Sequence, residues 1–117
     1  MNGLSRGFLT TLGLAFGSMS AHAGGYTSWA VPSSIELVNG GALVSGNFGD
    51  PNSCGRANYV FVNQTSSNYK EVVAMAYMAF AAGKEMMFYS QSCTAVGFHW
   101  DGNVINLNHD GHTASVR

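Results

Sequence analysis

The sequence predicts a mainly β domain with one α-helix, either an OB-like small barrel or an antiparallel sheet. The predicted order is β-β-β-α-β-β, with a possible last strand. Three observations lead there. Short β-branched and aromatic runs alternate with clusters of Gly, Asn and Ser. One long uncharged stretch carries helix-boundary residues at both ends. Two cysteines, Cys54 and Cys93, lie on either side of that stretch.

In chain order, Ile35–Val38 and Ala42–Phe48 read as strands joined through Asn39-Gly40-Gly41. Asn-Gly readily takes positive φ, the backbone that a tight hairpin requires. Gly46 marks a bulge or bend in the second run. Residues 49–53, Gly-Asp-Pro-Asn-Ser, form a turn leading to Cys54. Tyr59–Val62 is the strongest strand signal, aromatic and β-branched throughout. Asn68 then predicts an N-cap, with Glu71 completing an Asn form of the capping box. The helix runs over 69–82 and stops at Gly83.

On that helix Tyr69, Val73, Ala76 and Phe80 share one face, with Val72, Met75 and Ala79 beside it. From Val72 to Gly83 there is no charge. A helix apolar all round is usually covered on more than one side. Met75, Tyr77 and Met78 are therefore candidate contacts in a homo-oligomer, although scattered apolar exposure on a monomer would also account for them. Residues 85–89 read as a strand after the helix. Val96–Trp100 and Val104–Leu107 read as a hairpin about Asp101-Gly102. Residues 108–117 read as a polar, frayed tail.

The first 23 residues have the order of a secretory signal: Arg6, an uncharged stretch from Phe8 to Met19, then Ala21-His22-Ala23 as a cleavage site. The apolar stretch is shorter than the roughly 20 residues that span a bilayer. An N-terminal anchor or an amphipathic core helix is the competing reading. Cleavage after Ala23 would leave residues 24–117 as one domain, secreted or periplasmic in a bacterium. In that compartment Cys54 and Cys93 most simply form a disulfide, and no Cys-x-x-Cys or paired Cys/His spacing favours a metal instead.

In residues 24–117, Arg56, Lys70, Lys84 and Arg117 oppose six carboxylates, a net charge of −2. That balance argues against a nucleic-acid partner and offers no basic patch for anionic membranes. His99, Asp101, His109, Asp110 and His112 are residue types that bind zinc, but their spacing matches no known ligand motif. No Gly-x-Ser-x-Gly elbow or phosphate-cradling glycine motif occurs. The reading is therefore binding rather than catalysis, with no cofactor. Tyr26, Trp29 and Trp100 are the side chains best suited to a sugar or protein surface, unless each packs in the core.

A cysteine before a strand, Tyr69-Lys70-Glu71 opening a helix, and residues 79–84 (Ala-Phe-Ala-Ala-Gly-Lys) turning into a strand that leads to Cys93 resemble a pattern in small exported bacterial proteins. More distantly, the order resembles the B subunits of AB-type toxins of the subtilase-cytotoxin and pertussis-like group. It covers roughly residues 54–93. The resemblance implies an OB-type barrel in a ring-forming, non-catalytic subunit that binds glycans on a receptor. No family sugar-binding motif has a counterpart here. A protein-interaction module, such as an enzyme inhibitor, is the alternative, and a metal-dependent enzyme using the C-terminal histidines is a further one.

Overall fold

The computed structural model describes residues 24–97 and 99–117. The segment read as an export signal, including Ala21 and Ala23, lies outside the described residues. The elements are β1 (Gly25–Tyr26), β2 (Ser34–Val38), β3 (Gly41–Ser45), β4 (Tyr59–Asn63), α1 (Tyr69–Ala82), β5 (Met86–Ser90), β6 (Ser92–Thr94), β7 (Ile105–Asn108) and β8 (Ala114–Val116). They form a five-stranded sheet, β2-β3-β4-β7-β6, and a three-stranded sheet, β1-β5-β8. Only the β4–β7 pair is parallel.

Chain continuity links the two sheets. β5 and β6 are separated by Gln91 alone, so residues 86–94 form one bent ribbon that belongs to both sheets. At the other edge, residues 25–38 do the same. Gly25 and Tyr26 pair with Ser90 and Tyr89, Ala30 bridges to Met86, and Ser34–Val38 then pairs with β3. The pairings therefore run as a circuit of five ribbons, with the helix between the third and fourth. That is the connectivity predicted for an OB-type barrel.

The β2–β3 hairpin is tight because Gly40 takes φ +100°. At Gly41 a Cβ would collide with the Val62 carbonyl, so the close β3–β4 approach needs glycine there. Gly46 is a bend that ends β3, where the Phe48 N–H donates to the Gly46 carbonyl at 2.7 Å.

The interior is built from Ala42 and Val44 on β3, Val60 and Val62 on β4, and Met86 and Phe88 on β5. Phe48 packs edge-on against Phe88, with ring centroids 5.3 Å apart. The face of α1 carrying Val72, Val73, Ala76 and Ala79 closes this core. On the other side, Leu43 of β3, Phe61 of β4 and Ile105 of β7 are not left wet. Val96, Trp100 and Val104, from the segment between β6 and β7, cover them.

Four expectations are corrected. Val96, Gly97, His99 and Trp100 do not form a strand about Asp101-Gly102. The chain immediately around Cys93 takes that place, pairing Ser92–Thr94 with Ile105–Leu107. Val96 and Trp100 are freed to lie over the sheet, where Val96 is buried. The tail is not frayed, because Ala114–Val116 pairs with β5 and Val116 packs on the core. Asn68 precedes the helix but its side chain makes no cap bond. Its Oδ1 accepts from the Ser66 hydroxyl and its amide donates to the His112 carbonyl. Phe80 shares the side of Val73 and Ala76 but, in the last turn of the helix, is 49% exposed. Met75 is half-buried against the core, so of the three proposed oligomer contacts only Tyr77 and Met78 stand exposed.

Candidate functional site

The outer face of the β1-β5-β8 sheet carries a row of aromatic rings, of which Tyr26 is exposed and Trp29, Tyr89, His109 and His112 are half-buried. On β5, Met86, Phe88 and Ser90 point inward, so alternation turns Met87 and Tyr89 outward. On the neighbouring ribbon, Tyr26 pairs with Tyr89 and Ala30 with Met86. The first strand thus has one residue more than its partner between the two pairings, which is the arithmetic of a bulge. The extra residue brings Trp29 to the same outer face as Tyr26.

The rings form a row. Tyr26, 55% exposed, packs edge-to-face on Tyr89 at 5.0 Å. His112 meets the other side of Tyr89 at 5.3 Å, and His109 lies 4.9 Å from His112. The Gln91 amide donates to the Tyr89 hydroxyl at 3.2 Å. Nearby, the Arg117 guanidinium stacks over Trp29 at 4.3 Å and is held by Glu85 at 2.9 Å. The result is a surface, carried by β1, β5 and the segments beside them, of apolar ring faces edged by hydroxyl, amide, imidazole and guanidinium groups.

Trp100 is not part of it. That ring sits on the other sheet, against Tyr59 at 4.9 Å and under the Arg56 guanidinium at 4.6 Å, in the layer that shields Leu43 and Phe61. Of the three aromatics singled out by sequence, two share a surface and the third is a packing residue. Tyr89, His112 and Arg117 were missed as companions of Tyr26 and Trp29. The alternation of Met86–Ser90 was the available signal for Tyr89. Nothing local marked the other two.

The histidine and carboxylate set does not converge. His99 Nε2 lies 3.0 Å from Glu36, on the other sheet. His109 Nδ1 lies 2.7 Å from Asp110, and its Nε2 lies 3.3 Å from the Ser92 hydroxyl. Among the described residues no three His, Cys, Asp or Glu side chains are placed to hold a metal ion. Ser92, His109 and Asp110 do stand in the order of nucleophile, base and orienting acid. The Asp110 side chain, however, is 77% exposed, so water competes for the carboxylate that would have to fix the imidazole.

Beside the disulfide lies a polar knot centred on the half-buried Asp50. Its Oδ1 accepts from the Cys54 N–H and the Asn106 amide, both at 2.8 Å, and its Oδ2 accepts from the Gly55 N–H at 3.0 Å. Partial burial pushes the Asp50 carboxyl up. The N–H groups of Cys54 and Gly55 and the amide of Asn106 outweigh that and hold it below the usual aspartate range. Asn106 in turn accepts from the Asn52 amide, which also donates to Ser90. Cys54 and Cys93 form the expected disulfide, with Cα atoms 5.6 Å apart, next to the knot. The knot and disulfide together anchor the 49–58 segment to β6 and β7, which positions the β5–β6 ribbon beneath the ring row.

No helix among the described residues is long and apolar enough to cross a membrane. No family model, curated protein or solved structure matches the chain.

Proposed function

We propose that this chain is an exported binding protein whose ligand is a glycan, recognised on the outer face of the β1-β5-β8 sheet. The observation that carries the reading is the Tyr26–Tyr89–His112 row, with Trp29 beside it: Tyr26 is exposed, and the other three rings are half-buried at the same surface. Sugar rings present C–H faces that stack on aromatic faces, and hydroxyls that need donors and acceptors at the rim. Tyr89, Gln91, His112 and Arg117 supply those groups. The disulfide is compatible with an extracellular or periplasmic location. Residues 1–23 have the composition of a signal that would deliver the chain there. A non-catalytic receptor-binding role of the toxin B-subunit kind fits this surface, as does an ordinary carbohydrate-binding role.

The test is a glycan array followed by titration of the best ligand. Tyr26→Ala and Trp29→Ala should each weaken binding at least tenfold, whereas Trp100→Phe should leave it within about threefold. Binding that survives both the Tyr26 and Trp29 substitutions would refute this face as the site. A protein ligand captured through the same two residues, with no glycan signal, would favour the inhibitor-like alternative.

A further inference from the structure

We propose that α1 is the seam of a two-fold homodimer, packing antiparallel against α1 of a second copy. The helix has two apolar stripes. Val72, Val73, Ala76 and Ala79 are buried in the core. On the opposite side Ala74, Tyr77, Met78 and Ala81 are exposed, at the i, i+3, i+4, i+7 spacing of a packing face. Tyr77 and Met78 are each 45% exposed. Ala74 and Ala81 leave room for a second helix to approach closely, and Tyr77 meets Met78 across the axis in a ring–thioether contact.

The charges at the two ends of this stripe identify the occupant. The same spacing extends to Lys70 and Glu71 at the start and to Lys84 just past the left-handed Gly83. The Lys84 N–H still donates to the Ala79 carbonyl, which keeps that residue at the helix end. Lys70, Glu71 and Lys84 are exposed, and among the described residues they take part in no ion pair. A two-fold axis between Tyr77 and Met78 sets Glu71 of each copy opposite Lys84 of the other, and Ala74 opposite Ala81. Lys70 falls opposite Glu85, which Arg117 already holds. A parallel alignment would instead set Glu71 against Glu71 and Lys84 against Lys84. The face is therefore complementary to itself only when reversed, which is the condition for an isologous interface.

A seam this short belongs to the weak or transient class of interfaces, so its signature is concentration dependence. The inference goes beyond the glycan reading and does not rest on it, because none of its residues belongs to the ring row. Sedimentation velocity on the protein purified after export, over a wide concentration range, should show a monomer–dimer equilibrium. Glu71→Lys and Lys84→Glu should each weaken dimerisation about tenfold, since each change converts both symmetric attractions into repulsions. The double swap should restore the parental constant to within about threefold, and Met78→Glu should abolish dimerisation. All three positions are exposed, and circular dichroism confirms that each variant is folded. A parent that stays monomeric throughout would overturn the proposal, as would a larger ring. A double swap no better than either single one would exclude the antiparallel arrangement.

Discussion

Replacing Asp50 by Asn changes few atoms but tests the knot that holds the 49–58 segment. The carboxylate accepts three bonds, two at Oδ1 and one at Oδ2. An asparagine that keeps Oδ1 toward Cys54 and Asn106 must turn its own NH₂ toward the Gly55 N–H, donor against donor. Two bonds then fall from charge-assisted to neutral strength, at about 1 kcal/mol each. The third is lost at a residue water can reach, for about 1 kcal/mol more. The sum is about 3 kcal/mol, equivalent to a drop in Tm of about 15 °C for a domain of this size.

The sign with pH follows from the folded carboxyl being held below its usual value. Such a group contributes stability that is present above its unfolded pKa, about 3.9, and lost as pH falls through the folded value. Thermal melts of parent and Asp50→Asn, followed by circular dichroism, should therefore differ most near neutral pH. The two curves should converge as pH falls below about 4. The other carboxylates titrate in both proteins and cancel in the difference. A gap that is unchanged between pH 7 and pH 3, or an Asn variant as stable as the parent at pH 7, would refute the reasoning.

Three further outcomes are expected. The Cys54→Ala/Cys93→Ala double variant releases a loop whose ends are 39 residues apart, which costs roughly 4 kcal/mol in the loop-entropy account. Urea unfolding should show that loss, and the parent under reductant should match the variant. Val116→Asp places a carboxylate against the core beside Met86 and should cost about 2 kcal/mol, whereas a frayed tail would tolerate it unchanged. Ser92 should remain unmodified by a fluorophosphonate probe on mass spectrometry. An adduct at Ser92 that disappears in His109→Gln would instead establish a working nucleophile and overturn the non-catalytic reading.

What the sequence determined by itself follows from interactions that close within a few residues. Asn39-Gly40 turns the β2–β3 hairpin because positive φ is available at Gly40. The helix limits at Tyr69 and Ala82 are legible from the polar residue before them and the left-handed Gly83 after them. With two cysteines in the described chain and no metal-binding spacing, their pairing was also legible. The tertiary structure alone decided the competitions between distant segments. The chain at Cys93 pairs with β7, whereas Val96 and Trp100, with more side chain to bury, are worth more as a cover over Leu43 and Phe61. The last residues become a strand because β5 has a free edge beside the core, which no local property of Ala114–Val116 announces. Tyr26 and Trp29 reach one surface only through a one-residue bulge, and Trp100 leaves it for the same covering role as Val96. Strand partners, and the face a ring presents, are set by burial summed over segments far apart in the chain. Local sequence therefore names the rings but not the surface they make.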